Sequence, residues 1–257
     1  MKQSPLVTQG RVIGALMLRD VKARFGGKGA NYLIAIGWPL AHIVILLLIY
    51  TLAGRAAPIG NSAALFFATG LLPFMSFNYP SRQMMLSLIM NGPLLNFPVV
   101  NVVDVLLARA ALEVITSFAV AALLAFILYA CGVNIVPRHP TVAVSALLAT
   151  LLLAIGFGFL NSIIQQFVKV WIYVYILILI LLYLTSGILF VLESLPEKAQ
   201  AFLVWLPTVH IVEWFRSAYF DGYGRLTLDK SYVVAFGVVT LALSLAFERM
   251  ARRWFQF

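Results

Sequence analysis

The chain has 257 residues, of which 63% are hydrophobic and 11% charged, against about 25% charged in an ordinary water-soluble domain. So little charge cannot coat a globule in water, and the lipid bilayer must solvate most of the surface. The formal net charge of +9 gathers around the ends of apolar runs, which points to anionic lipid headgroups and away from nucleic acid, and the one cysteine, Cys131, excludes an intrachain disulfide and a redox or metal-binding cysteine pair.

Residues 5–26 come first. Ile13, Met17, Val21 and Phe25 recur at i+4 steps while Arg11, Arg19 and Lys22 occupy another face, so this stretch is expected to lie along the cytoplasmic leaflet as an amphipathic interfacial helix. The bases Lys2, Arg11, Arg19, Lys22, Arg24 and Lys28 are spread through it rather than preceding a short apolar core, which is not the layout of a secretory signal, and insertion is expected to rely on the first span. A crossing helix needs about 20 mostly apolar residues. Apolar runs place six spans, at residues 33–53, 59–81, 110–134, 141–168, 170–192 and 231–250.

Two further apolar regions are read differently. Residues 83–104 contain Asn91-Gly92-Pro93, Asn96, Pro98 and Asn101, too many turn formers for one straight helix, and are expected to form a cytoplasmic loop with short helices. Residues 195–223 hold an apolar stretch of 14 residues, 199–212, interrupted by Pro207. That suits a re-entrant or interfacial pair of helical pieces on the far side of the membrane. With this count, twelve bases fall inside (Lys2, Arg11, Arg19, Lys22, Arg24, Lys28, Arg82, Arg109, Lys169, Arg249, Arg252, Arg253) and six outside (Arg55, Arg138, Lys198, Arg216, Arg225, Lys230). The excess places both termini in the cytoplasm. The expected fold is therefore an all-α integral membrane domain, 1–257, with six transmembrane helices, and no internal repeat supports an inverted-repeat carrier.

The chemistry is sparse. A phosphate-cradling G-x-x-x-x-G-K-[ST] loop is missing, and Gly26-Gly27-Lys28-Gly29 lacks its spacing, so any ATP that drives this protein is expected on another subunit. An ion-coupled carrier would need acids within the spans. Glu113 is expected to pair with Arg109, four residues earlier, as a snorkelling helix-end pair. His42, one turn after Pro39, is either a pathway-lining relay or a neutral imidazole bonded to a neighbouring helix, and no second intramembrane titratable partner accompanies it. His210 and Glu213 at i, i+3 echo half a metal site, but only His42, His139 and His210 exist to complete one, so no metal and no catalytic group is expected. Trp38, Tyr50, Trp171, Tyr173, Trp205, Trp214 and Tyr223 fall near span ends, where aromatic belts are ordinary.

The run Ala15-Leu16-Met17-Leu18-Arg19-Asp20-Val21-Lys22-Ala23-Arg24-Phe25-Gly26, then Tyr32-Leu33, Pro39 and His42, resembles permeases of type-2 ABC transporters, in particular the branch that exports capsular polysaccharide. The second half agrees, with Ser186-Gly187 ending the fifth span, then Leu195-Pro196, Pro207, Val209-His210, Glu213, Arg216 and Gly222-Tyr223. Ile34 stands where relatives usually carry Trp, and Leu206 where Asn is common, so no sugar-stacking or capping role carries over to those two. The resemblance implies a subunit that is not itself an enzyme, in a bacterial inner membrane, moving a lipid-linked capsular polysaccharide. It also implies a homodimer with two copies of a cytoplasmic ABC ATPase, ATP and Mg on that partner, no cofactor on this chain, and a periplasmic adaptor. Exporters of O-antigen or teichoic acid share the first block; an intramembrane lipid-linked transferase is the alternative of another class.

Residue by residue, the resemblance implies an ATPase-coupling interface at Arg11, Arg19, Lys22, Arg24, Phe25, Asn91, Pro93, Phe97 and Pro98. It implies a substrate path at Tyr32, Trp38, His42, Tyr183, Phe190 and Trp205, and a periplasmic exit at His210, Glu213, Arg216 and Tyr223. At the cytoplasmic entrance, Arg19, Lys22 and Arg24 are expected either to receive a lipid phosphate or simply to contact bulk headgroups.

Overall fold

The computed structural model describes residues 5–25, 30–224 and 226–251, with side chains for 7–22, 33–224 and 226–251. Among the described residues every regular element is a helix: α1 (Pro5–Phe25), α2 (Ala30–Leu52), α3 (Ala63–Met85), α4 (Ser87–Asn91), α5 (Val102–Ala130), α6 (Pro140–Phe167), α7 (Trp171–Thr185), α8 (Glu197–Leu203), α9 (Pro207–Ser217) and α10 (Lys230–Ala251), with short 3₁₀ turns at Gly92–Asn96 and Leu192–Ser194. Four of them are long and apolar enough to cross a membrane: α2 from Leu33, α5, α6 and α10. Helix length at 1.5 Å per residue gives α3, with 23 residues, about 34 Å as well.

The lower apolarity of α3 has a packing cause. It is the central helix, touching α2, α5, α6, α7 and α9, and seventeen of its residues are buried, including Thr69, Gly70, Ser76 and Ser81. A helix sheathed by protein need not present hydrocarbon on every face, so small and polar residues are tolerated where they approach neighbours. Gly158 of α6 is one such approach, since a Cβ there would lie 2.7 Å from the Met84 side chain. Between α6 and α10, Gly156 and Gly237 let the backbones close, a Cβ at Gly156 meeting the Gly237 carbonyl at 3.0 Å.

The main core joins α2, α3, α5, α6, α7 and α9 around Phe66, Phe67, Phe74, Phe77 and Tyr175. A second core, at the α1 end, gathers Leu16, Met84, Leu88, Val105, Leu106 and Phe159. Here α1 lays Val12, Ile13, Leu16 and Met17 against the rest of that cluster, so its apolar stripe is spent largely on protein.

The sequence spacing and the structure part company at the fifth span. Residues 170–192 were expected as one helix, but α7 stops at Thr185, about 22 Å after it starts. Ser186 Oγ donates back to the Tyr183 carbonyl at 3.0 Å, and Gly187 turns the chain at φ +80°, a region open to glycine at no steric cost. Apolar composition continues past the break and hid it. The first loop likewise runs to Ser62, whose Oγ accepts from Leu65 N–H as the cap of α3, so the helix begins and ends four residues later than the 59–81 run. Residues 83–104 contain α4 and a 3₁₀ turn, and the 199–212 stretch divides into α8 and α9 at Leu206-Pro207.

Candidate functional site

At the α1 end, two stretches far apart in sequence meet. Arg19 of α1 donates to Asn91 Oδ1 at the close of α4, and Asn91, itself buried, donates to the Ser87 carbonyl at 2.9 Å. Gln9 Nε2 donates to Asp104 Oδ1 at 2.9 Å, while the other carboxylate oxygen of Asp104 accepts the Asn101 N–H at 3.1 Å to cap α5. One carboxylate thus ends a helix and fastens α1 to it. Around these joints Leu18, Ile89, Met90, Phe97 and Val99 are exposed, Phe97 at 59%, beside the bases Arg11 and Lys22, also exposed. Pro93 and Pro98 are exposed in the same loop. Apolar side chains thus stand beside basic ones on the exposed surface at this end of the bundle. The side chains of Arg24, Phe25 and Tyr32 lie outside the described residues.

Beneath α1, a cavity of about 220 Å³ is lined by Asp20, Trp38, Tyr79, Arg109 and Glu113. Arg109 donates to Glu113, and both are buried rather than snorkelling to a headgroup layer. The expected pair is present, but it is part of the joint between α1, α2, α3 and α5.

Along the bundle, His42 Nδ1 and the Tyr79 hydroxyl share a hydrogen bond at 2.9 Å, and Tyr50 and Tyr183 join hydroxyls at 2.6 Å. His42 and Tyr183 line one cleft of about 260 Å³ between α2 and α7. Trp38 lies away from it, on the cavity beneath α1. Phe190 packs with Leu192, Leu203 and Val209, and Trp205 is exposed at the other end. The six residues of the expected path are therefore not one lining: His42 and Tyr183 share a wall, and the described others are separate.

At the α9 end, Arg216 is 0% exposed. Its guanidinium donates to the carbonyls of Gly187 at 2.6 Å, Ile188 at 2.7 Å, Phe190 at 3.3 Å and Phe66 at 3.3 Å, and to the Tyr223 hydroxyl at 3.1 Å, and stacks 3.8 Å over the Phe66 ring. It supplies donors to backbone that the break after α7 strips of helical partners. Gly70 makes room, since a Cβ there would sit 2.6 Å from Nη2. Arg216 is thus an internal anchor rather than an exit-lining charge, with Tyr223 as its partner.

His210 bridges Val204 O, at 2.7 Å from Nε2, and Asp229 N–H, which Nδ1 accepts at 3.2 Å. Two such partners fix one neutral tautomer, and burial holds its imidazole below the usual value. Glu213 accepts from Thr227 Oγ1 at 2.7 Å, and burial pushes its carboxyl up to about 7. Among the described residues no group of His, Cys, Asp and Glu is spaced to hold a metal ion. Sequence reasoning missed Gly70, whose lack of a side chain makes room for the Arg216 guanidinium.

A helical bundle with four helices of membrane-crossing length and apolarity, and an amphipathic helix fastened across one end, defines a polytopic membrane protein. Over residues 11–220 the sequence matches the family model described as ABC-2 type transporter, and the chain belongs to that family. It is 31% identical over 249 residues to the polysialic acid transport protein KpsM of Escherichia coli, covering 97% of this chain and 96% of that one. It is 28% identical over 249 residues to the capsule polysaccharide export inner-membrane protein CtrC of Neisseria meningitidis, covering 94% and 91%. With the capsule polysaccharide export inner-membrane protein BexB of Haemophilus influenzae it shares 29% identity over 225 residues, covering 85% and 82%.

Proposed function

We propose that this chain is the membrane-spanning subunit of an ATP-driven exporter that carries a lipid-linked capsular polysaccharide across the bacterial inner membrane. The observation that carries the proposal is the convergence of α1 and the α4 loop on one exposed apolar and basic surface, tied by Arg19 and Asn91, in a sequence without a nucleotide-binding loop. A rigidly fastened α1 can transmit a push from a neighbouring subunit to α2, α3 and α5 through the joint that holds Arg109 and Glu113. The ATPase, with its ATP and Mg, would sit against Arg11, Arg19, Lys22, Arg24 and Phe25 and against Asn91, Pro93, Phe97 and Pro98. Two copies of the chain would enclose the path and two ATPase copies would drive it, with a periplasmic adaptor at the far end. The named activities of the relatives support the cargo class.

In this arrangement α2, α3, α5, α6, α7 and α10 cross the membrane, α8 and α9 dip from the periplasmic side without crossing, and both termini are cytoplasmic. The six-helix count also keeps α1 and the basic end of α10 on one face. The short α7 spans because the loop after it is satisfied by Arg216 rather than by water.

The test is genetic and chemical. Deleting the gene in its own bacterium, then separating surface from intracellular glycan, should show acidic polysaccharide accumulating inside and lost from the surface, restored by the intact gene. An unchanged surface capsule would rule the proposal out, and loss of O-antigen or teichoic acid instead would reassign the cargo.

A further inference from the structure

Asp20 stands one turn after Leu16, on the stripe that α1 lays against the bundle. It is 8% exposed and lines the cavity of about 220 Å³ beneath α1. Among the described residues no hydrogen bond or ion pair reaches its carboxylate. Arg109, the one guanidinium of the described lining, is committed to Glu113. Two carboxylates against one guanidinium leave that lining with one negative charge in excess. Arg82, whose guanidinium lies 5.4 Å from the centre of the Tyr79 ring, is not part of it.

The mouth is apolar. Ile34 and Trp38, on successive turns of α2, line the cavity while being 61% and 68% exposed. They stand near the start of a membrane-crossing helix, where a span meets the headgroup layer and tryptophan rings settle. Whatever enters passes along apolar side chains at headgroup depth. A buried aspartate is almost always paired, and the partner that fits here is a cation carried on a lipid rather than one arriving from water. Its N–H groups can donate to Asp20, and the Trp38 ring adds a face that attracts a cation. Among the described residues no third acid, His or Cys joins Asp20 and Glu113, which sets a metal ion aside. The space equals about seven water volumes, room for a small headgroup.

We infer that this cavity is a binding site for phosphatidylethanolamine. The primary ammonium sits on the Asp20 carboxylate beside Trp38, the phosphate stays toward the mouth, and the acyl chains lie along Ile34 and Trp38 in the bilayer. The lipid ties α1 to α2 from beneath, so the amphipathic helix is seated by one lipid species as well as by protein contacts. The site stands apart from the cargo and from the exporter reading.

The test titrates the delipidated full chain in detergent with phosphatidylethanolamine, its N-methyl and N,N-dimethyl forms, phosphatidylcholine and phosphatidylglycerol, all with the same acyl chains, and counts bound lipid by native mass spectrometry. Affinity should fall with each methyl, by about tenfold from phosphatidylethanolamine to phosphatidylcholine, the scale of the charge-assisted hydrogen bonds lost. Asp20→Asn should bring those two lipids within about twofold. Ala35→Phe, which fills the cavity from α2 without touching a charge, should do the same; an unfolding midpoint in detergent at or above that of the wild type establishes that a variant is folded. A wild type indifferent to methylation overturns the assignment, as does a preference that survives in either folded variant. Tighter binding of phosphatidylglycerol than of phosphatidylethanolamine would give the site to an anionic headgroup and overturn it too. Soluble ethanolamine at millimolar concentration should leave the lipid bound, and displacement by it would overturn the lipid as the source of the ammonium.

Discussion

Replacing Arg216 by Met keeps much of the side-chain volume and removes the five donor contacts described above. The Gly187, Ile188, Phe190 and Phe66 carbonyls then lose a donor in a place that water reaches poorly. Breaking a buried charged network costs about 3–5 kcal/mol, and part of that is offset because a buried guanidinium no longer has to be desolvated. A net loss of about 2–4 kcal/mol lowers the unfolding midpoint of a domain this size by about 5–15 °C. Thermal unfolding in detergent followed by tryptophan fluorescence measures it, with limited proteolysis of residues 186–196 reporting where the structure loosens. Gly70→Ala should act through the same contact, because its new Cβ would meet Nη2 at 2.6 Å and the Ile188 Cα at 3.2 Å. In the Arg216→Met background the alanine should cost much less than it does alone, since the two sites share a partner. A midpoint for Arg216→Met within about 1 °C of wild type, or strict additivity of the pair, would refute the anchor.

Glu213 offers a pH test. Its folded carboxyl titrates at about 7 against an ordinary 4.5, so the stability it confers is complete below the ordinary value and lost as pH rises through 7, a swing of a few kcal/mol. Glu213→Gln should therefore raise the midpoint at pH 8 and make little difference at pH 5; the reverse order would contradict burial as the cause. At the α6–α10 contact, Gly237→Val should be strongly destabilising, because a Cβ there already lies 3.1–3.2 Å from Leu152 and the Leu153 backbone, whereas Gly10→Val, with open space around it, should be neutral or slightly stabilising, valine being the better helix former. Arg19→Glu removes the tie to Asn91 and should leave membrane insertion intact while abolishing stimulation of the partner's ATP hydrolysis, read by phosphate release from the reconstituted complex.

The long apolar helices were legible because hydrocarbon imposes one rule, charge-free length, and α2, α5, α6 and α10 obey it with few exceptions. The loop around α4 and the break at Pro207 were legible because proline and glycine act locally. Other features were hidden for reasons that share a cause. The end of α7 depends on Arg216, twenty-nine residues from the Gly187 carbonyl it serves, and the run of apolar residues across Ser186-Gly187 gives no warning. Counting bases by side assigned Arg216 to an outer flank and Arg82 to an inner one, but a count cannot tell a headgroup contact from a guanidinium turned into protein. Glu113 and Arg109 were paired correctly by their spacing, yet their burial required α1 to fold over them, a tertiary fact. Of the expected path, only His42 and Tyr183 were brought together, because aromatic residues near span ends serve belts and cores as readily as ligands.

The central claim is that these helices have no energy source of their own. It is tested most directly by reconstituting the purified chain in proteoliposomes with and without its ATPase partner and following lipid-linked glycan against a concentration gradient. The account predicts uphill movement only when both subunits and hydrolysable ATP are present. Uphill movement by the chain alone, with or without an ion gradient, would contradict it.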